Sequence, residues 1–280
     1  MLQSLEARER AELFRRLHAG PQPLVLVNAW DAGSARVLEH AGAPAIATTS
    51  AGMAWSLGYA DGERLPPDEL LAACARICRG VHIPVSVDIE RGFGRDTESV
   101  CAIVRALMGQ GVVGVNIEDG VLPGTQHLAP AGILCERIAA IRALARREGA
   151  MLFINARTDT YVAANPDPAA RYDETVRRAE LYTTAGADGI FVPGLDLMAV
   201  ARFVRAARLP VNVYAGAGWA PPVHGLAQAG VRRVSLGCGP LQSAFGLLRQ
   251  VAVEAFRQGS YTVMSSNMLP AGDINNHFAQ

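Results

Sequence analysis

Short apolar runs alternate along the chain with longer segments in which alanine, arginine and glutamate recur at helical spacing. The apolar runs mostly lack period-two alternation, which is typical of parallel strands that are covered by helices. Eight of these runs are predicted as strands: 24–28, 45–50, 85–90, 113–119, 152–158, 189–193, 211–215 and 231–237. Helices are predicted between them, for example at 66–80, 95–110, 134–149, 168–186, 196–208 and 239–258.

The same junction recurs in the segments AGAPAIA, QGVVGVN, AGADGIF and AGVRRVS, where a helix ends in glycine and a strand follows. Eight strand–helix units predict an α/β fold, a single (β/α)8 TIM barrel over residues 1–280. We expect an N-terminal helix at 1–20 and a polar C-terminal tail at 260–280, which covers a barrel face or reaches a neighbouring subunit. The alternative is an open doubly wound sheet, although no G-x-G-x-x-G follows the first strand.

The chain has 280 residues, half of them hydrophobic, and a formal net charge of zero. This charge balance does not indicate nucleic acid or an anionic membrane as a partner. No apolar run approaches the roughly 18 residues that span a bilayer, and the N-terminal segment lacks the features of a signal peptide. We therefore expect a soluble, cytoplasmic protein.

Cysteine and lysine usage narrows the possible chemistry. The five cysteines are too scattered for a disulfide framework, and Cys74 with Cys78 is predicted to be a buried, reduced pair. Lysine is absent, and all 26 cationic residues are arginine. This excludes Schiff-base aldolases, enzymes that anchor pyridoxal phosphate through lysine, and the lysine of a Walker phosphate loop.

Acidic residues end two neighbouring predicted strands. In VSVDIERGFG, Asp88 and Glu90 lie two apart, and side chains two apart in a strand point the same way. Glu118 and Asp119 end the next strand, and active sites of such barrels lie at the carboxyl ends of the strands. Carboxylates gathered there predict a site for a hard divalent cation such as Mg2+. The alternative is that arginines neutralise these carboxylates, namely Arg91, Arg95 or Arg157.

Other strand-end residues admit two interpretations each. Asp31 is predicted as a helix N-cap first and a ligand contact second. The backbone N–H groups of residues 50–52 suit a carboxylate, or the segment is a tight turn. His127 lies in a Pro/Gly-bounded loop that suits a mobile lid carrying an acid or base. Residues 237–239 would cradle an anion or serve helix packing, with Cys238 as a structural thiol.

Six segments together resemble the isocitrate lyase/phosphoenolpyruvate mutase superfamily: NAWDAGSARVLEHAG, TTSAGMAWSLGYADGE, VDIERGFG, GVNIEDG, INARTD and AGADGIFVPG. The resemblance covers nearly the whole barrel, and VD-x-E/D-x-G-[FY]-G followed by the IED and ARTD segments is a specific combination. It implies a (β/α)8 barrel that uses Mg2+, with Mn2+ as a substitute. It also implies a homodimer or homotetramer with exchanged C-terminal helices.

The resemblance implies roles for individual residues. Asp88 matches a metal ligand, Glu90 replaces what is often an aspartate, and Glu118 matches a glutamate near the metal. Asp61, in YADGE, matches an aspartate of the metal region. The substrate carboxylate would be held by one arginine and a three-residue segment, namely Arg157 with Ser50, Ala51 and Gly52.

Departures from the family pattern bear on specificity. Isocitrate and methylisocitrate lyases carry a lysine–cysteine–glycine–histidine stretch after the IED segment, where this chain reads GVLPGTQHLAP. Those two reactions are therefore not expected. The loop is more similar to the gating loop of the mutase and phosphonopyruvate hydrolase branch, with residues 125–127 near its gating polar residues. However, Gly120 replaces that branch's lysine, and Pro193 stands where relatives often place glutamate or histidine, which argues against phosphonate chemistry.

The predicted function is a Mg2+-dependent lyase that cleaves a C–C bond of a small 2-oxo or 2-hydroxy carboxylic acid through an enolate. It would resemble oxaloacetate decarboxylase or dimethylmalate lyase. The metal must carry the charge because no lysine can form an iminium. Arg157 and Glu118 are the predicted catalytic residues, with His127 as the nominated acid or base. The alternatives are a P–C bond enzyme, like phosphonopyruvate hydrolase or phosphoenolpyruvate mutase, and a non-catalytic carboxylate-binding barrel.

Overall fold

The computed structural model describes residues 4–122, 124–164, 167–195, 197–216 and 220–279. Its eight strands pair in parallel in one sheet, in the order β1-β8-β7-β6-β5-β4-β3-β2. The strands are β1 (Leu24–Leu26), β2 (Ile46–Ala47), β3 (Val85–Asp88), β4 (Gly114–Glu118), β5 (Phe153–Arg157), β6 (Gly189–Val192), β7 (Val211–Tyr214) and β8 (Arg233–Ser235). A parallel bridge between Ala29 and Thr48 joins the segments after β1 and β2. The predicted (β/α)8 barrel is confirmed.

Helices surround the sheet and follow the strands in sequence. They are α1 (Leu5–Ala19), α2 (Ala32–His40), α3 (Ser50–Ser56), α4 (Pro67–Gly80), α5 (Thr97–Gly109), α6 (Ala131–Arg147), α7 (Pro168–Ala185), α8 (Leu197–Ala206), α9 (Val223–Gln228), α10 (Gly239–Gln258), α11 (Thr262–Asn267) and α12 (Ala271–Phe278). Asp31 is the N-cap of α2, where its side chain accepts a hydrogen bond from the Ser34 N–H at 2.6 Å. The predicted capping role of Asp31 is confirmed.

The four predicted glycine junctions all adopt the left-handed backbone that ends a helix. Gly42, Gly111, Gly186 and Gly230 have φ values of 92°, 96°, 110° and 87°. Only glycine adopts this conformation without a steric cost from Cβ. The repeated unit read from the sequence is therefore built by the same turn geometry each time.

Alternate residues of the strands separate an apolar outer face from a polar barrel interior. Val115 and Ile117 of β4 belong to the buried apolar cluster shared with the surrounding helices. Between them, Asn116 faces Asn155 of β5, whose side-chain amide donates to its oxygen at 2.8 Å. Arg233 lies in the same interior, 1 % exposed, with its Nε donating to Ser235 at 3.2 Å. This polar interior lies beneath the carboxyl ends of the strands.

Two predicted strand ends that matter for the site are wrong. The strand predicted at 45–50 ends at Ala47, and Ser50 instead begins α3, where its N–H and hydroxyl turn towards Asp88. The strand predicted at 85–90 ends at Asp88 because Glu90 has a left-handed backbone (φ 46°). A residue in that conformation cannot continue a strand. Both corrections concern residues of the predicted site.

The segment predicted as a polar tail forms α11 and α12. The second of these helices lies against α2 of its own chain, where Arg36 donates to the His277 carbonyl at 2.7 Å and the His40 and His277 rings stack at 4.2 Å. Cys74 and Cys78 are free and buried on α4, as predicted. In the described ranges, no helix combines the length and apolarity needed to cross a membrane.

Candidate active site

A cavity of about 200 Å³ lies at the carboxyl ends of the strands. Every strand, or the segment directly after it, contributes at least one residue to its wall. The polar side includes Asp61, Asp88, Asn116 and Arg157, and Phe191 provides an apolar surface. A second cavity, of about 250 Å³, lies between α7 and α8 and is lined mainly by small and apolar side chains. The strand-end cavity is the candidate site because the predicted chemistry converges on it.

Asp88 is buried at the cavity wall and is held by the start of α3. Its Oδ2 accepts hydrogen bonds from the Ser50 hydroxyl at 2.9 Å and the Ser50 N–H at 3.3 Å. The Asp88 N–H donates to the Thr48 hydroxyl at 3.0 Å. Within the described part of the chain, no salt bridge joins Asp88 to an arginine. Its charge is thus oriented by neutral donors.

Asp61 lies on the same cavity, in the segment between α3 and α4. Partial burial raises the pKa of Asp61, and the nearby charge of Asp88 raises it further, while the Gly62 N–H and Arg157 oppose the shift. Two carboxylates that repel each other in this way favour a cation between them. Asp61 and Asp88, which the sequence analysis assigned separately to the metal region, thus lie on one cavity.

Glu90 does not line the cavity. It is 7 % exposed, and its burial raises its pKa to about 8, with further increases from the charges of Asp88, Asp61 and Glu63. The Glu63 N–H bonds to Glu90 and partly offsets this shift. The predicted strand extended to Glu90 and so pointed its side chain the same way as that of Asp88. Because β3 ends at Asp88, this prediction is wrong, and Glu90 does not reach the cavity.

The two loops that carry these acidic residues are joined by an acidic clasp, formed by Glu63, Glu90, Arg91 and Phe93. The Glu63 carboxylate accepts from the Phe93 N–H at 2.8 Å and pairs with Arg91 at 2.8 Å. In the described chain, the non-glycine residues with positive φ all belong to this clasp: Glu63 (58°), Glu90 (46°) and Phe93 (57°). Strained backbone of this kind concentrates at functional sites.

Arg157 connects the cavity to two acidic residues. Its Nε and Nη2 contact the two oxygens of Asp159 at 2.6 and 3.1 Å, and its Nη1 lies 2.9 Å from Glu118 Oε2. Burial alone would lower the pKa of Arg157, but the charges of Glu118, Asp159 and Asp88 raise it overall. The sequence left open whether arginines pair with the strand-end carboxylates. Such pairing is found for Glu118, which contacts Arg157, and not for Asp88.

Asp119 serves the scaffold. It accepts hydrogen bonds from Arg178 at 2.9 Å, Tyr182 at 2.8 Å, and the Thr158 hydroxyl at 2.7 Å, and it is 3 % exposed. These contacts tie the ends of β4 and β5 to α7. Adjacent acidic residues in a strand point to opposite faces, which separates Glu118 from Asp119.

The segment at residues 50–52 forms the first turn of α3. Ser50 and Ala51 line the cavity, while Gly52 lies behind them. A Cβ on Gly52 would come within 2.6 Å of the Thr49 side chain and 3.2 Å of Trp30, so close packing requires glycine there. Residues 50–52 therefore form the start of a helix and not the tight turn that was the alternative prediction.

His127 lies at the exposed end of a small hairpin and does not line the cavity. Val121 and Leu128 form an antiparallel bridge, and the Leu122 N–H donates to the His127 carbonyl at 2.8 Å. Pro123, within the predicted lid, lies outside the described residues. His127 would reach a substrate only after a movement of this hairpin.

Two of the cavity residues that the sequence did not assign to the site interact with each other. They are Tyr214, the last residue of β7, and Cys238, at the N-cap of α10. Their positions directly after two predicted strands were the available signal. Cys238 was predicted instead to be a structural thiol in a segment that serves helix packing.

The oxygen donors of the cavity suit a hard divalent cation. No group of three or more His, Cys, Asp or Glu side chains is placed to hold a metal ion in the ranges that the structure describes. However, Mg2+ commonly binds through one or two carboxylates and keeps several waters. The mutually repelling carboxylates of Asp61 and Asp88 fit that requirement.

The fold agrees with what comparison with known proteins shows. The sequence model of the family described as phosphoenolpyruvate phosphomutase matches residues 14–256. An uncharacterized protein of Mycobacterium tuberculosis is 35 % identical over 81 % of this chain and 82 % of its own length. The chain belongs to the isocitrate lyase/phosphoenolpyruvate mutase superfamily and is an enzyme of that type.

Individual relatives cover several activities. Oxaloacetate decarboxylase of Bradyrhizobium diazoefficiens is 30 % identical over 73 % of this chain and 70 % of its own length. A solved structure from Burkholderia cenocepacia J2315, provisionally named a lyase/mutase, superposes with a TM-score of 0.90 at 36 % identity, covering 99 % of this chain and 98 % of that one. The relatives therefore support lyase chemistry as a class.

Proposed function

We propose that this protein is a Mg2+-dependent lyase that cleaves a C–C bond of a small 2-oxo or 2-hydroxy carboxylic acid through an enolate. The observation that carries the proposal is one small cavity with Asp88 and Asp61 beside Arg157 at the strand ends. Adjacent negative and positive groups suit a cation together with a carboxylate substrate. A relative named oxaloacetate decarboxylase supports the same reaction class.

In this proposal, Asp88 and Asp61 hold the cation, and Glu90 and Glu118 contribute through water or after rearrangement. A bound Mg2+ would supply positive charge beside the developing enolate. Mn2+ has the same preference for oxygen donors and would replace it. Asp88 is already oriented by the Ser50 hydroxyl, so little reorganisation is needed.

Substrate positioning falls to Arg157 and the start of α3. Asp159 holds the guanidinium by two hydrogen bonds, and the Phe191 ring centroid lies 5.7 Å from its Cζ, so the group is fixed in direction. A fixed guanidinium recognises a planar carboxylate. The Ala51 N–H, with Gly52 behind it, would complete the carboxylate site, and Ser50 would join it only if its hydroxyl left Asp88.

The decisive experiment is a substrate screen with purified protein and Mg2+. Oxaloacetate, 2,3-dimethylmalate and phosphonopyruvate are each incubated with the protein, and pyruvate formation is followed. Because free divalent ions decarboxylate oxaloacetate unaided, the same buffer without protein is subtracted. Pyruvate from oxaloacetate or from 2,3-dimethylmalate supports the proposal. Pyruvate from phosphonopyruvate alone indicates P–C chemistry, and thermal stabilisation without turnover of any acid indicates a binding protein.

The hairpin at residues 120–130 is proposed to close over the cavity. It begins at Gly120, which follows the end of β4 and has a left-handed backbone (φ 64°), and its tip is exposed. Oxalate resembles the enolate of a 2-oxo acid. We expect Mg2+ with oxalate to slow hydrogen exchange of the backbone amides in this hairpin, because closure would exclude water. Exchange in α11 should remain unchanged as an internal control. Equal exchange in the hairpin with and without ligand contradicts the closure.

We also propose a homo-oligomer, a dimer or tetramer assembled through the C-terminal helices. The outer face of α10 exposes large apolar side chains, including Leu248 (63 %) and Phe256 (86 %). Apolar patches of this kind favour contact with another chain. Light scattering should give two or four times the 29.7 kDa mass of one chain, and Leu248→Glu with Phe256→Glu should lower it. A monomeric wild-type protein contradicts this assembly.

A further inference from the structure

One wall of the cavity carries a tyrosine–cysteine pair. Tyr214 ends β7, and Cys238 begins the turn into α10 after β8, so the parallel register of these two strands brings them together. Both side chains line the cavity that also contains Asp88 and Arg157. A substrate held by Arg157 would therefore share one small space with this pair.

The tyrosine ring is held in place by two glycines. A Cβ added to Gly216 would lie 2.6 Å from the Tyr214 hydroxyl, and one added to Gly237 would lie 2.6 Å from a carbon of the ring. Any larger residue at either position would displace the ring. The backbone of both glycines thus leaves room for the Tyr214 side chain and holds it at the cavity wall.

The two groups influence each other's protonation. Burial raises the pKa of both side chains; Cys238 raises that of Tyr214 further, whereas Tyr214 opposes the rise for Cys238. The phenol therefore stays protonated and can donate to the sulfur, which leaves the cysteine S–H for a molecule in the cavity. Such a donor also stabilises the thiolate that remains after proton release.

We propose that the thiol of Cys238 protonates the enolate carbon after bond cleavage and that Tyr214 stabilises the resulting thiolate. This inference rests on the proposed lyase function. The S–H bond breaks, the enolate electron pair forms the new C–H bond with that proton, and the sulfur keeps the electrons of the broken bond. A proton from water then restores the thiol.

Other groups at the cavity are poorly suited to this step. Asp88 and Asp61 are assigned to the cation, and Arg157 is a paired guanidinium that remains charged. The hydroxyls of the described lining residues Thr49, Ser50 and Ser235 are much weaker acids than a thiol. Burial raises the pKa of Cys238, which keeps it protonated before the step.

Deuterium exchange into pyruvate tests the step directly, since enolate formation and protonation exchange its methyl protons. For an oxaloacetate-type substrate, wild-type protein with Mg2+ and pyruvate in D2O should exchange them, as followed by NMR. For 2,3-dimethylmalate, whose cleavage leaves the electron pair on the α-carbon of propionate, propionate replaces pyruvate in the same test. Cys238→Ala should slow this exchange about 100-fold, the typical contribution of a general acid. Tyr214→Phe should slow it about tenfold, as expected for loss of one hydrogen bond to a charged group. Cys101→Ala and Tyr261→Phe, away from the cavity, are the matched controls.

Oxalate affinity separates a catalytic effect from a structural one, because oxalate resembles the enolate and needs no proton. Cys238→Ala should bind oxalate with Mg2+ as wild type does. Normal exchange in Cys238→Ala overturns the acid assignment and leaves the lyase proposal intact. Slow exchange with equally weakened oxalate binding shows a packing role and also overturns it. Absence of exchange and of turnover in the wild type instead contradicts the proposed function and this step with it.

Discussion

Asp88→Asn is expected to reduce turnover of the substrate found in the screen by about 1000-fold, because removal of a metal ligand forfeits several kcal/mol of charge stabilisation. Asparagine retains the shape of the side chain and can still bond to Ser50, so the fold should survive. The measurement is kcat/KM under saturating Mg2+, together with thermal unfolding with and without the ion.

The same variant should lose the stabilisation that Mg2+ confers on the wild type. A ligand at about 100 times its Kd stabilises a protein by about 2.7 kcal/mol, which is visible as a shift in Tm. Asp273→Asn, the same chemical change on the exposed side of α12, should behave as wild type in both measurements. Wild-type protein that shows no response to Mg2+ or Mn2+, even with oxalate present, contradicts the metal assignment.

Arg157→Lys is expected to lower kcat/KM about 30- to 150-fold although the positive charge is retained. Lysine cannot reproduce the planar fork that contacts Asp159 and faces the cavity, and losing a charged hydrogen bond costs about 2–3 kcal/mol. The loss should persist at saturating Mg2+. Steady-state kinetics of both proteins provide the measurement.

Arg178→Lys is the matched control for this loss. Arg178 is also a buried arginine with two acidic partners, Asp119 at 2.9 Å and Glu174 at 2.7 Å, but it does not line the cavity. Its replacement should lower Tm while leaving the kinetics of the folded protein near wild type. Unchanged kinetics in Arg157→Lys, or equal kinetic losses in both variants, contradict a specific role for Arg157.

The barrel and part of its site were predictable because their signals are local. Buried strands, glycine junctions and carboxylates at strand ends each occupy a few consecutive residues, and the rule that barrel sites lie at strand ends links them in space. This reasoning put Asp88 and Arg157 at one location, the family resemblance added Asp61, and all three line one cavity. The metal-related roles of these residues remain predictions.

The rest depended on geometry that a sequence pattern does not specify. Glu90 leaves the strand because its backbone is left-handed. Glutamate rarely adopts this conformation, so the sequence gives no signal for it. Glu118 turns to Arg157 because the β4–β5 register pairs those two residues. The contact of Tyr214 with Cys238 depends on the β7–β8 register and on two glycines.

The left-handed residues of the acidic clasp limit which substitutions can raise the thermal stability of this barrel without affecting its site. Each strained backbone of this kind costs roughly 1–3 kcal/mol, and glycine would relieve it. Yet Glu63 bonds the Phe93 N–H, Phe93 packs against the core, and the Glu90 carboxyl interacts with Asp88 and Asp61. A population selected for heat resistance while keeping its catalysis would therefore accumulate stabilising substitutions elsewhere. Glycine at position 63, 90 or 93 would mark lineages in which that selection for catalysis has been relaxed.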